Sequence, residues 1–236
     1  HYACHKRIVA QMSRSTKLFG LIAKTLPGVV LCKDMLVVPP TGHILRGFLL
    51  ETTMVRDMVY LWRVVTPLHR PMRHPFLDYS TRIQKGEPVY INRHAYGESA
   101  DRVRAIITDG HIEFLQQIRD PSDFLRHVTW MIGNPSILFQ IDLAFTYHLV
   151  GNVRDSADIL RALDVEVDRL PPRQQEYVHP LVKRAVREME RSPAALTALL
   201  NEWENQNIDA LGLQASRTAP PLGGVESAKR DMPSEH

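Results

Sequence analysis

Apolar positions along the chain change period twice, near residue 30 and again near residue 97. Between Ser13 and Leu26, the residues Leu18, Leu21, Ile22 and Leu26 recur at helical spacing. Ser13 and Ser15 offer caps, and Pro27-Gly28 closes the segment, so an amphipathic helix is predicted. The period then falls to two. Met35 to Val38, Ile44 to Glu51, Tyr60 to Thr66, Leu77 to Ile83 and Val89 to Ile91 read as strands separated by short polar turns. Parallel crossovers need a dozen residues or more, so these links dictate an antiparallel meander with one face buried against the early helices.

From Glu98 the spacing is helical again. Val103, Ile107, Gly110, Phe114 and Ile118 share one face, with Gly110 as a possible break. Asp120-Pro121, Asn134-Pro135, Pro171-Pro172 and Ser192-Pro193 each read as helix starts, with a polar cap or a proline in the first turn. His179-Pro180 falls inside the segment opened by Pro171-Pro172 and is expected to split or kink it. Strands first and helices second is the signature of an α+β fold: an N-terminal helix, an antiparallel four- to five-strand sheet, then a helical C-terminal half. The expected organisation is an extension over residues 1–11, helix plus sheet over 12–97, a helical region packed on it over 98–213, and a disordered tail over 214–236.

One stretch carries a resemblance. Leu143, Ala144, Tyr147, Gly151, Ser156 and Leu160 fall where a tetratricopeptide repeat places its leucine, small residue, tyrosine, glycine, small residue and bulky residue. Over about thirty residues, the chain resembles one helical hairpin of that family. The family's opening Trp position is Gln140, and no second copy follows. The resemblance implies close helix–helix approach at the small residues, Tyr147 packed between the two helices, and protein binding rather than chemistry.

Composition narrows the classes. The hydrophobic fraction is 44% and the charged fraction 23%, enough apolar material for a packed core. No apolar run reaches the ~20 residues of a membrane span, and no stretch has the form of a secretory signal. Two cysteines, Cys4 and Cys32, make neither a disulfide framework nor a metal knuckle, so a cytoplasmic location and no membrane association are expected. The formal charge of +3 hides an asymmetry. Residues 1–96 carry fourteen Lys and Arg against five Asp and Glu, whereas residues 97–215 carry twelve against eighteen.

Motifs for phosphate loops, nucleophile elbows, zinc proteases and kinases are absent from the sequence. No catalytic residue, no cofactor and no metal site is assigned, the histidines being too scattered for ligand spacing. The densest chemistry lies in His69-Arg70-Pro71-Met72-Arg73-His74, a basic link between two predicted strands. Arg46 and Arg63 fall inside strands of the same region, and Arg82, Arg93, His43 and His94 lie nearby. A half-buried guanidinium calls for a carboxylate or phosphate, so Arg46, Arg63, His69, Arg70, Arg73 and His74 form a candidate anion-binding face. The competing reading pairs these cations with the chain's own acids. The expected function is a non-catalytic interaction or regulatory module with an unidentified protein partner. Two alternatives stand beside it: anion binding, with nucleic acid or a phosphorylated ligand as the partner, and an enzyme whose acid–base groups would be His69, His74 and Asp78.

Overall fold

The computed structural model describes residues 15–92, 94–133 and 136–218. The expectations placed on residues 1–11, Ser13, Arg93, Asn134-Pro135 and residues 219–236 lie outside the described residues.

Helix α1 (residues 15–25) buries Leu18, Phe19 and Ile22 and gives way at Pro27-Gly28, where Gly28 takes a positive φ. Strands β1 (Val30–Cys32) and β2 (Met35–Val37) form a tight hairpin, followed by the long hairpin of β3 (Ile44–Thr52) and β4 (Met58–Pro67). All pairings are antiparallel, in the order β1-β2-β3-β4-β5, and β6 also pairs with β4. Gly47 is required where β2 crosses β3: a Cβ there would meet the Leu36 carbonyl oxygen at 2.5 Å. The strand expected over Leu77 to Ile83 shrinks to β5 (Thr81–Arg82), and β6 (Val89–Tyr90) completes six strands. The rest of that segment is held as a loop, because Thr66 Oγ1 donates to the Phe76 carbonyl at 2.6 Å and the Val65 N–H donates to Ser80 Oγ at 3.2 Å.

The helical half comprises α2 (Tyr96–Thr108), α3 (His111–Gln116), α4 (Pro121–Val128), α5 (Ile137–Leu149), α6 (Val153–Glu166), α7 (Pro172–Arg191), α8 (Pro193–Leu211) and the short α9 (Gln214–Thr218). Gly110, with φ 75°, breaks α2 from α3. Asp120 and Ser192 cap α4 and α8 through the N–H groups of Asp123 and Ala195. Pro180 interrupts neither end of α7, which runs as one helix of 20 residues. α9 occupies the first residues of the expected tail, with Ser216 fully buried.

Both faces of the sheet are covered. Leu36, Phe48, Leu61 and Val65 pack under α1, α2 and α3. Met35, Val37 and Leu45 point the opposite way, onto Ile208, Leu211 and Leu213 at the end of α8. A third core lies within α5 to α8, built from Phe145, Leu160, Leu163, Val182, Leu200 and Trp203. In the α5–α6 hairpin Ala144, Ser156 and Leu160 are buried and Gly151 takes φ 84°, as the repeat resemblance implies, while Tyr147 is only half-buried. α8 returns to α5, so these helices close into a bundle rather than stacking as an open array. Among the described residues no helix is long and apolar enough to cross a membrane.

Candidate functional site

Two places carry the chemistry: a buried ionic cluster at the junction of sheet and bundle, and an open groove at the far end of the sheet.

The cluster begins where β4 ends. Leu68 enters the core beneath α8, which carries the two following residues inward, so His69 and Arg70 are as inaccessible as the leucine. The backbone that turns here is tied by one side chain. Asn207 of α8 accepts from the Met72 N–H at 2.8 Å and donates to the carbonyls of Leu68 and Arg70, each at 2.7 Å. Its amide is fully used, which is what burial of an amide demands.

Asp142, fully buried on the apolar helix α5, is the hub. Arg70 Nε donates to its Oδ1 at 2.7 Å, Tyr79 Oη donates to its Oδ2 at 2.8 Å, and His69 Nε2 lies 3.9 Å from Oδ1. Thr146, one turn on, donates to the Asp142 carbonyl at 2.6 Å and lies 3.5 Å from His69 Nε2. The Arg70 guanidinium stacks on Phe76 at 3.7 Å, and its Nη2 lies 3.6 Å from Asp78, which is half-exposed at the rim. Apolar rings close the remainder: Tyr79 meets Phe124 edge-on at 5.0 Å, and His69 meets Phe145 at 5.8 Å.

Burial sets the charge states. It drives the His69 pKa down to about 3, helped by the positive charges of His43 and Arg70, so this imidazole is neutral. Burial also pushes the Asp142 carboxyl above the usual carboxylate range, against the pull of Arg70. Arg70 is penalised by burial too, but the charge and hydrogen bond of Asp142 more than offset this and hold it protonated. The Tyr79 phenol is raised by burial and by the adjacent carboxylate, so it stays a donor. The result is one neutral imidazole beside one internally compensated ion pair, closed to water. Such a cluster fixes the orientation of the parts it joins.

The six residues of the candidate anion-binding face do not meet at one surface. His69 and Arg70 enter the cluster. Arg46, buried inside β3, donates to the Pro40 carbonyl at 2.7 Å and to the Leu115 carbonyl at 3.3 Å, and its pKa falls to about 10 through burial and the charge of Arg119. Arg63 stacks on Phe114 at 3.5 Å with Nη1 3.4 Å from His111. Arg73 and His74 are exposed on the loop. Asp78, the third group of the enzyme alternative, lies at the cluster's edge, 3.6 Å from Arg70. Among the described residues no set of three or more His, Cys, Asp and Glu is arranged to hold a metal.

The groove lies where the helical layer stops short of the β3–β4 hairpin tip. It encloses about 410 Å³, with a floor of Leu18, Leu50, Val59 and Ile91 and walls of Tyr96 and Met58. Met54 and Val55 at its lip are strongly exposed. Arg56 beside them is 80% exposed, and the ammonium of the neighbouring Lys17 stands 4.6 Å over the ring of Tyr96.

Asp142, Tyr79, Asn207 and the groove escaped the sequence reading. The available signals were a lone acid inside the apolar run Ile137–Leu149 and an amide on the apolar stripe of α8. No family model, curated protein or solved structure matches the chain, and its functional reading rests on this geometry.

Proposed function

We propose that this chain is a non-catalytic interaction module that takes a protein partner at the groove beside the β3–β4 hairpin tip. The observation that carries the reading is the pair Met54 and Val55, two large apolar side chains held in water above an apolar floor. A lone exposed apolar residue is ordinary; adjacent ones above an open apolar groove mark an interaction surface. The sealed cluster supports the same reading from the other side. Its carboxylate is engaged by Arg70 and Tyr79 and all three are shielded from water, which suits a frame rather than a reaction centre.

The test is site-specific photo-crosslinking from Met54, identification of the captured protein, and reconstitution with that protein in pure form. Met54→Asp and Val55→Asp leave the core untouched and should weaken the reconstituted complex at least tenfold, as loss of a central apolar anchor does. Unchanged affinity in both variants would remove the groove from the interface. Turnover of a small molecule by the purified chain, lost in Asp78→Asn, would replace the reading by the enzymatic one.

A further inference from the structure

The groove has a charge pattern as well as a shape. Its floor is apolar, yet Arg56 on the hairpin tip lines it as an exposed cation, and the exposed Lys17 of α1 lies over the ring of Tyr96, another lining residue. Among the described residues the carboxylate in its lining is Asp57, largely covered, with a side chain 20% exposed and 3.9 Å from Arg56. The surrounding half of the chain is strongly cationic in sequence. Two of its arginines, Arg46 and Arg70, are buried against internal acceptors, and Arg63 and Arg82 are laid over aromatic rings. Arg56 differs from them in standing 80% exposed at the lip of an apolar opening, and Lys17, though over the Tyr96 ring, stays exposed beside it.

We propose that the groove receives an acidic peptide segment of a partner protein, with one bulky apolar side chain seated over Leu50, Val59 and Ile91 and flanking carboxylates meeting Arg56 and Lys17. This inference rests on the interaction reading above and adds the partner's chemistry to it. Burial of the apolar anchor supplies the affinity, and the two cations fix direction and hasten encounter. A nucleic acid would satisfy the cations, but its phosphates would leave the apolar floor without an occupant. A basic segment would fill the floor and be repelled at both rims.

The experiment uses the full chain with isotope-labelled methyl groups and three synthetic peptides. One has a central Leu flanked by Glu on both sides, a second carries Lys in place of the Glu, and the third carries Ala in place of the Leu. The acidic Leu peptide should shift the methyl signals of Leu50, Val59 and Ile91. Its affinity should fall about tenfold in Arg56→Glu, the order expected for a 1–2 kcal/mol electrostatic contact, and should fall with added salt. The Ala and Lys peptides should bind at least tenfold more weakly. Equal binding of the acidic and basic peptides overturns the charge assignment while leaving the groove as an interface. Shifts confined to other methyls, or tighter binding by single-stranded DNA than by the acidic peptide, overturn the site itself. Peptide binding that appears only after deletion of residues 1–14 assigns the groove to the chain's own N-terminal segment. A concentration-dependent shift of the same methyls without peptide assigns it to a second copy.

Discussion

Asp142 shows how much a single buried carboxylate decides. It compensates Arg70, accepts from Tyr79 and stands beside a neutral imidazole, and all of these are cut off from water. Removing one member of a buried ion pair strands the other in a medium that cannot solvate it. Asp142→Ala should therefore cost about 3–5 kcal/mol in chemical denaturation. Converting the pair together, Asp142→Leu with Arg70→Met, should recover much of that loss, because an apolar pair of similar volume has no desolvation penalty to offset. If the double variant is no more stable than Asp142→Ala, the ion pair is not the source of the cost. The sequence announced the cations of this region but not their destination. His69 and Arg70 stand in a stretch that reads as a polar loop, and a loop reads as surface. What buries them is the reach of α8, some 135 residues further along the chain, and no local pattern encodes that.

At the level of elements, the segments with a clean period were legible and those shaped by long-range contacts were not. Helices α4 and α8 begin where Asp120-Pro121 and Ser192-Pro193 place them, because a cap and a first-turn proline act within four residues. The strand expected over Leu77 to Ile83 alternates correctly but is pulled into a loop by hydrogen bonds from β4, Thr66 to the Phe76 carbonyl and the Val65 N–H to Ser80. Pro180 lies on an exposed face of α7 and leaves the helix continuous. Pro180→Ala should thus raise the melting temperature, by an amount bounded by the ~3 kcal/mol propensity gap between the two residues. The joint between the loop before β3 and α8 is also open to measurement. His43 Nδ1 lies 2.5 Å from Glu204, and Arg217 of α9 lies 3.6 Å from the same carboxylate. The Glu204 hydrogen bond raises the His43 pKa, against the lowering effects of burial and of Arg217. Since the folded value lies above the unfolded one, the contribution of this joint is complete below pH ~6.5 and fades as pH rises through the folded value. Titration of His43 by NMR should give a lower value in Glu204→Gln and a higher one in Arg217→Ala; movement in the opposite sense would mean that the carboxylate does not govern the imidazole.

For the molecule as a whole, His69 leads the acid limb of stability, joined by His111, His127 and His148, whose pKa values burial also lowers. Its folded pKa of about 3 lies below the unfolded value, so the unfolded chain takes up the proton first. The His69 contribution is complete above pH ~6.5 and should fall by about 1.4 kcal/mol for each pH unit below it, down to the folded value. His69→Asn should flatten that slope when denaturant unfolding is followed between pH 6.5 and 4, and an unchanged slope would shift the cause to other groups. The general plan, a helix, an antiparallel sheet and then a helical half, could be read from period alone. The double cover of the sheet could not, since Met35, Val37 and Leu45 alternate with core residues and read as the outward face until α8 is placed over them.

That cover has a consequence in time. Leu45 emerges from a ribosome roughly 160 residues before Ile208 and Leu211, a delay of about 8–30 s at ~5–20 residues per second. During that interval one face of the nascent sheet has no lid, His69 and Arg70 wait first for Asp142, and they lack Asn207 until its end. A slowly translated chain therefore presents an unfinished, sticky intermediate that a holdase would recognise, and a ribosome stalled before α8 should leave a product that proteases clear rather than a free-standing sheet domain.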